Sequence, residues 1–383
     1  MKRSFHTVLK KDSVFTLAIA ILWQVIFLFI GWLLSPEQGV LGHMIHWDAG
    51  WYIQIITYAY GSEASPASPV FYPLFPLIIA ALSFVSFHAI PYEVLALLVN
   101  TAGVWLALLA LVRITKRFRF STRSQTVTLV AFLSFPSAFF LHAFYSEALF
   151  ISIGLWAYLL ALQKRWWAMG ILLALLTASR LPSLLFVVLC GFEFFRAYNW
   201  NIKKLLNVNI LWFLLAPLGL FAYATYLYIA RGDFLAMFHA YSATNDWTYQ
   251  KFNPNIFATL YETAVKTIQS GLTLHPTYEI FINYALPLAS IILITASSIY
   301  IWRTTKYGKP LALFGLFSII LFTLNSNVVS VHRYALACFP IFIAVGLLAK
   351  NKKLLPLIIT LCILSIGVQV FIYGKFIHDI FAG

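Results

Sequence analysis

Long apolar segments separated by short polar islands recur along the whole chain. A helix needs about 20 apolar residues to cross a bilayer, and by that criterion the pattern predicts about eleven spans, several of them short. The candidate spans cover residues 14–34, 92–112, 125–141, 147–163, 167–180, 182–198, 208–230, 278–301, 310–326, 334–349 and 354–373. We therefore predict an all-α polytopic membrane protein that forms a single domain over residues 1–383.

The composition agrees with this pattern. The chain is 62% hydrophobic and 10% charged, which is more apolar surface than a soluble domain can bury. A net charge of +14 would suit a nucleic-acid partner, but the basic residues fall in short clusters between apolar segments. That distribution is typical of cytoplasmic loops, so we predict no nucleic-acid partner. The three cysteines lie in apolar segments, without the spacing of a disulfide framework or a metal site.

The basic clusters set the predicted orientation. Most of them fall on one side, which the positive-inside rule makes cytoplasmic, at residues 2–11, 113–123, 164–165, 196–204, 303–309 and 350–353. Counting residues 71–88 as a span would place the 113–123 cluster outside, so we interpret 71–88 as a helix at the outer membrane surface. The first external loop then covers about 35–92. The large external loop covers about 231–278, where we expect amphipathic surface helices.

The acidic residues sort the other way, with only Asp12 and Glu193 on the cytoplasmic side. Residues 46–52 read His-Trp-Asp-Ala-Gly-Trp-Tyr and place a carboxylate among aromatic rings beside the first apolar segment. A carboxylate at a membrane edge is costly unless it is solvated, paired or used. We predict that Asp48 is a general base that takes a proton from an acceptor hydroxyl. The alternative is an interfacial acid that caps a helix or pairs with a cation.

Two further polar islands lie on the predicted external side. Residues 71–76, with Tyr72, would line a lipid or sugar groove or simply begin a helix. Residues 142–147 bring a second acid, Glu147, to the same face as Asp48. Two such acids can share a proton, bind a metal or orient a sugar hydroxyl. The alternative is that Ser146 and Glu147 only begin the next helix.

Six basic residues run against the charge bias, namely Arg180, Arg231, Lys251, Lys266, Arg333 and Lys375, and two of these arginines stand out. Arg180 lies between two short apolar segments, and Arg333 lies in the last large polar gap, between His332 and Tyr334. A guanidinium presents a fork of donors that suits a lipid phosphate. The alternative for each is a snorkelling side chain that binds any headgroup.

The ordered set of motifs resembles a known family. The motifs are residues 47–52, 71–76, 135–141, 145–150 and 177–180, followed by 332–334 with Phe339-Pro340. Together they resemble the motifs of the PIG-V type of mannosyltransferase. Enzymes of this type are GT-C glycosyltransferases related to the enzyme that adds the second mannose of GPI anchors. Each motif is weak alone, whereas their order along most of the chain is fairly specific.

The resemblance implies a GT-C fold and the transfer of one hexose, with mannose expected, from a polyprenyl or dolichyl phosphate to an external glycan or glycolipid. It implies inversion at the anomeric carbon, a first-loop catalytic Asp at Asp48 and a second acid at Glu147. The resemblance implies no definite cofactor. It leaves open whether a divalent cation is needed, because GT-C enzymes differ in metal dependence. Expected substrate-binding residues are His46, Trp47, Trp51, Tyr72, Tyr145, Glu147, Arg180, His332 and Arg333.

Two rival functions remain open at this point. A transporter or flippase of lipid-linked sugars would place ionisable residues near mid-membrane and show inverted repeats. The chain instead places its ionisable residues at the ends of predicted spans, and no inverted pairing is visible. A non-catalytic subunit of a glycosylation complex would leave Asp48 dispensable. Nucleotide-driven chemistry has no support, because the sequence has neither a Walker A loop nor a dinucleotide glycine fingerprint.

Overall fold

The computed structural model describes residues 5–243, 251–272, 277–305 and 308–383, and within these ranges the chain is helical without a β-strand. The predicted basic residues Lys2, Arg3 and Lys306 lie outside them. The α-helices are α1 Phe5–Leu34, α2 Asp48–Tyr58, α3 Leu74–Val85, α4 Tyr92–Arg117, α5 Thr122–Leu133, α6 Glu147–Leu162, α7 Trp166–Thr177, α8 Ser183–Ala197, α9 Ile202–Leu205, α10 Leu218–Arg231, α11 Ala236–Ala243, α12 Ile256–Leu272, α13 Tyr278–Ile280, α14 Leu286–Thr304, α15 Lys309–Thr323, α16 Val331–Tyr334, α17 Pro340–Leu348 and α18 Leu355–Phe376.

Several of these helices have the length and composition of membrane spans. Within the described ranges, five stretches qualify: Lys11–Leu34, Tyr92–Arg117, Val208–Arg231, Tyr278–Thr304 and Lys352–Phe376. A sixth is formed if Val331–Ala337 and Pro340–Leu348, which meet at 68°, are counted as one broken span. The chain therefore has the helices of a multi-pass membrane protein. The predicted count of eleven is not confirmed, because α6, α7 and α15 have only 16, 12 and 15 residues.

The helix predicted over residues 71–88 forms as α3, Leu74–Val85. Pro73 and Pro76 lie at its first turn, where a missing backbone N–H costs no intrahelical hydrogen bond. With 12 residues, α3 is about 18 Å long, whereas the hydrocarbon layer is about 30 Å thick. Its length therefore agrees with the interpretation that it does not cross the membrane.

The large loop predicted over 231–278 also contains helices, α11 and α12. In α12, Phe257, Tyr261 and Ile268 are exposed and lie on one face at helical spacing. Thr259 and Thr263, on the other side, are buried. The helix is therefore amphipathic, with its apolar side chains on the outer face.

The two acids predicted on the cytoplasmic side are both paired with basic residues. Lys116, near the end of α4, lies 2.5 Å from a carboxylate oxygen of Asp12 in α1. Arg196, at the end of α8, donates to the carboxylate of the buried Glu193. Basic side chains at this end of the bundle thus neutralise the few acids among them.

The polar loop between α5 and α6 is recessed within the bundle. Asn100 donates to the carbonyl of Ala143 across 2.6 Å, at a point eight residues into α4. Gln24 donates to the carbonyl of Leu141 across 3.3 Å, ten residues before the end of α1. At 1.5 Å per residue, the loop lies about 12–15 Å below the nearby ends of those two helices. The segment leading to Glu147 is therefore inside the bundle rather than at its rim.

Single introduced cysteines test the predicted orientation. Ser62 and Thr122 are exposed, and we expect Ser62→Cys and Thr122→Cys to react with a membrane-impermeant maleimide from opposite sides of sealed vesicles. The measurement is mass-tag labelling in a Cys362→Ala background, because Cys362 is partly exposed whereas Cys190 and Cys338 are buried. Labelling of both positions from the same side would contradict the charge-based topology.

Candidate active site

A cavity of about 870 Å³ brings together residues from distant parts of the chain. Its walls come from the first predicted external loop, the turn between α7 and α8, α11, the start of the span Tyr278–Thr304, α16 with the region before it, and the segment after α18. The predicted site residues that line it are Trp47, Asp48, Trp51, Tyr72, Arg180 and Arg333. The other four, His46, Tyr145, Glu147 and His332, lie behind its walls.

Arg333 is the centre of a charged cluster beside this cavity. Its Nη1 donates to Oδ2 of Asp48 across 2.6 Å, and its Nε donates to Oε1 of Glu147. Arg180 also donates to Oε1 of Glu147 through its Nη1. The Arg333 side chain is only 4% exposed. A buried guanidinium is tolerated only when it is paired, and two carboxylates pair with this one.

The two carboxylates differ in their access to the cavity. The Asp48 side chain is 28% exposed, whereas that of Glu147 is 4% exposed. Glu147 is also the first residue of α6, so it both begins a helix and pairs with two cations. Asp48 is therefore the carboxylate that a substrate can reach, while Glu147 holds both arginines from behind.

The backbone before Asp48 is held in a strained conformation. Trp47 has a φ of 54°, a region that non-glycine residues seldom occupy. The buried Tyr145 hydroxyl donates to the carbonyl of His46 across 3.1 Å and accepts from the backbone N–H of Asp48 across 3.0 Å. Tyr145 thus fixes the bend that aims Asp48 at the cavity. No local sequence pattern indicates this role, because the contact spans 97 residues.

His46 and His332 form hydrogen bonds with the segment that follows α18. Nδ1 of His46 lies 2.7 Å from a carboxylate oxygen of Asp379, and Nε2 of His332 lies 2.9 Å from the carbonyl of Ala382. Phe381, in the same segment, lines the cavity and meets the Trp47 ring edge-on. Sequence reasoning missed this wall, and its only signal was the isolated acid Asp379.

Aromatic side chains form the wall beside Asp48. The Trp51 ring stacks on Phe71 with centroids 5.7 Å apart, and the Tyr52 hydroxyl lies 2.9 Å from Oγ of Ser146. Burial raises the pKa of Tyr52 to about 12. This phenol therefore stays protonated at neutral pH, which leaves Asp48 as the better candidate for accepting a proton.

Arg231 braces the loop that carries this wall. Its Nε donates to the carbonyl of Tyr60 across 2.8 Å, and its Nη2 donates to the carbonyl of Ser65 across 2.9 Å. The sequence singled out Arg231 only as an exception to the charge bias. Its side chain holds backbone carbonyls of the first loop, which is a structural role close to the site.

Within the described ranges, no three His, Cys, Asp or Glu side chains converge as a metal site would require. Asp48, which lines the cavity, and Glu147, which lies behind its wall, already pair with guanidinium groups, and Glu279 also lines the cavity. The divalent cation that the family resemblance leaves open therefore has no ready set of ligands in this part of the chain.

Replacing Glu147 tests whether the cluster stabilises the fold. We expect Glu147→Gln to lower the free energy of unfolding by about 3 kcal/mol, because Arg180 and Arg333 would stay buried without their shared anion. The measurement is reversible unfolding in detergent micelles. Glu63→Gln is the control, because Glu63 is exposed. Equal stability of the two variants would mean that the pairs contribute little to the folded state.

Comparison with known proteins adds no family to these observations. No known family model matches the chain, and no curated protein matches it either. The function of the cavity is therefore argued from its own geometry and from the motifs that line it.

Proposed function

We propose that the chain is an inverting membrane glycosyltransferase that moves a hexose, with mannose expected, from a polyprenyl or dolichyl phosphate to a hydroxyl of a glycan or glycolipid. The observation that carries the proposal is the partly exposed carboxylate of Asp48 beside two paired arginines in a single cavity. Asp48 supplies the base, and Arg180 and Arg333 supply donors for a phosphate.

In the proposed reaction, the acceptor hydroxyl attacks the anomeric carbon on the face opposite the phosphate. A new bond joins the acceptor oxygen to that carbon while the bond to the phosphate oxygen breaks. The electron pair leaves with the phosphate, and the hydroxyl proton passes to Asp48. Asp48 suits this role because its side chain lines the cavity and its backbone is fixed by Tyr145.

The arginines would act on the charge that develops on the leaving phosphate. Arg180 and Arg333 both line the cavity, and both are oriented by Glu147. Donors held in place before the reaction need no reorganisation when charge builds up, which makes them effective in a site shielded from water. Arg333 also has a buried Nη2 without a hydrogen-bond partner among the described residues. The pair therefore has donor capacity beyond its two carboxylates.

The proposal includes a GT-C architecture with its site on the external face. It is supported by the short helices α2 and α3 in the first loop and by the recessed loop before α6. A lipid-linked donor suits such a recess, because its phosphate lies at the membrane while its chain stays in the apolar layer. Met237 and Phe238 give the cavity an apolar wall, which suits the hydrocarbon chain of such a donor.

The direct experiment is transfer of radiolabelled mannose from polyprenyl-phosphate-mannose by the purified protein against a panel of glycolipid acceptors. We expect a labelled product with inverted anomeric configuration. Movement of the intact lipid-linked sugar across proteoliposomes, without any transfer, would overturn the proposal and favour a transporter.

Asp48→Asn tests the base. The amide keeps the shape but cannot accept the proton, so we expect kcat to fall by about 10²–10⁴-fold. Asp12→Asn is the matched control, because Asp12 pairs with Lys116 in the cluster of basic residues predicted to be cytoplasmic. Turnover of Asp48→Asn near the wild-type rate, with the fold intact, would remove the base assignment.

Arg180→Lys tests the proposed phosphate contact. Lysine keeps the charge but not the planar fork of donors, so we expect a lower kcat and a higher donor KM, with acceptor KM little changed. Arg196→Lys is the matched control, since Arg196 also pairs with a buried glutamate but lies outside the cavity. If both variants lose the same activity per folded molecule, Arg180 has only a structural role.

A further inference from the structure

A π-helical turn forms part of the cavity wall. Residues Phe281–Ala285 adopt this turn at the start of the span Tyr278–Thr304. Three residues at this point line the cavity: Glu279, Asn283 and Tyr284. A π-turn inserts an extra residue into a helix and re-aims the side chains around it, and such turns are frequent at functional sites. None of these three residues belongs to the charged cluster of Asp48, Glu147, Arg180 and Arg333.

Asn283 is the least satisfied side chain of this wall. Its Oδ1 is buried and has no hydrogen-bond partner among the residues that the structure describes. A buried amide without a partner costs about 1–3 kcal/mol. A protein retains such a group most readily when a ligand completes its hydrogen bonds.

A lysine that does not line the cavity orients the side chain of Tyr284. Nζ of Lys266, in α12, donates to the Tyr284 hydroxyl across 3.3 Å and lies 4.9 Å from the centre of the ring. With its oxygen accepting from Lys266, the hydroxyl keeps its own proton for donation to another group. Glu279, in the short helix α13, adds an exposed carboxylate.

The turn is tied to the wall that faces Asp48. Tyr278 is the residue before Glu279, and its hydroxyl donates to the carbonyl of Phe381 across 2.9 Å. The Phe381 ring in turn contacts the ring of Trp47, which is the residue before Asp48. The three polar side chains and the proposed base therefore belong to one continuous cavity surface.

We propose that Glu279, Asn283 and Tyr284 form a subsite that binds the hydroxyl groups of a hexose. A carboxylate, an amide and a phenol together supply both acceptors and donors, which is what vicinal hydroxyls require. The proposal deepens the proposed function and rests on it for the choice of a hexose. The sugar can be that of the donor or that of the acceptor, and the experiment separates the two.

The test measures Kd and not rate, so it stays decisive even if no transfer is found. One arm compares polyprenyl-phosphate-mannose with sugar-free polyprenyl phosphate, and the other uses a mannosylated glycolipid against its lipid alone. The variants are Asn283→Ala and Tyr284→Phe. Tyr300→Phe is the matched control, because it lies 16 residues, about 24 Å, further along the same span and does not line the cavity.

We expect Asn283→Ala to weaken binding of one sugar-bearing lipid by about tenfold and to leave the sugar-free lipid unchanged. Loss in the first arm assigns the subsite to the donor sugar, and loss in the second assigns it to the acceptor sugar. Asn283→Ala should unfold at a temperature no lower than that of the wild type, because no hydrogen bond of Oδ1 to a described residue is removed. Unchanged Kd values in both arms, with the protein folded, would overturn the subsite. Failure of transfer by the wild type would overturn only the proposed function.

Discussion

The site depends on one buried positive charge that two carboxylates share. Arg333 joins Asp48, 285 residues away, to Glu147, 186 residues away. A lone guanidinium in this position would carry a large desolvation cost, so the folded chain must bring α2, α6 and α16 together to satisfy it. Arg180 adds the turn after α7 through the same carboxylate. The cluster thus fixes, at one point, four segments that the sequence keeps far apart.

The depth of this cluster bears on what can reach it. The loop before Glu147 is bonded to α1 and α4 well below their ends, so the cluster lies inside the bundle and not on a flat rim. Electrostatic interactions gain strength in such a setting because water is scarce. A headgroup that arrives with its lipid chain attached needs no separate route from the aqueous phase. This geometry is one reason why we propose a lipid-linked donor.

Much of the architecture was predictable, because the signals for it are local. Apolar run length predicts the long spans, and prolines with a short apolar run predict a helix such as α3. Asp48, Arg180 and Arg333 were predicted as site residues from their charge and position, and the structure places all three on one cavity.

The rest could not be read from local patterns. The pairing of Glu147 with two arginines and the double hydrogen bond of Tyr145 depend on contacts between residues separated by tens to hundreds of positions. The sequence also places Glu147 at an external end, whereas the recessed loop buries it. The short helices α6, α7 and α15 follow apolar runs that looked long enough to span. Periodicity reports which face is apolar, but it does not report how deep a loop will sit.

The shared arginine also sets the order in which the site is assembled during synthesis. Asp48 and Glu147 leave the ribosome long before Arg333, and at 5–20 residues per second the gap between Asp48 and Arg333 is roughly 15–60 s. During that interval the nascent chain carries an acid whose later partner does not yet exist. The segment of residues 377–383 emerges later still, and its residues are the hydrogen-bond partners of His46 and His332. The walls and the charged cluster of the cavity are therefore completed only after most of the predicted membrane helices have been made.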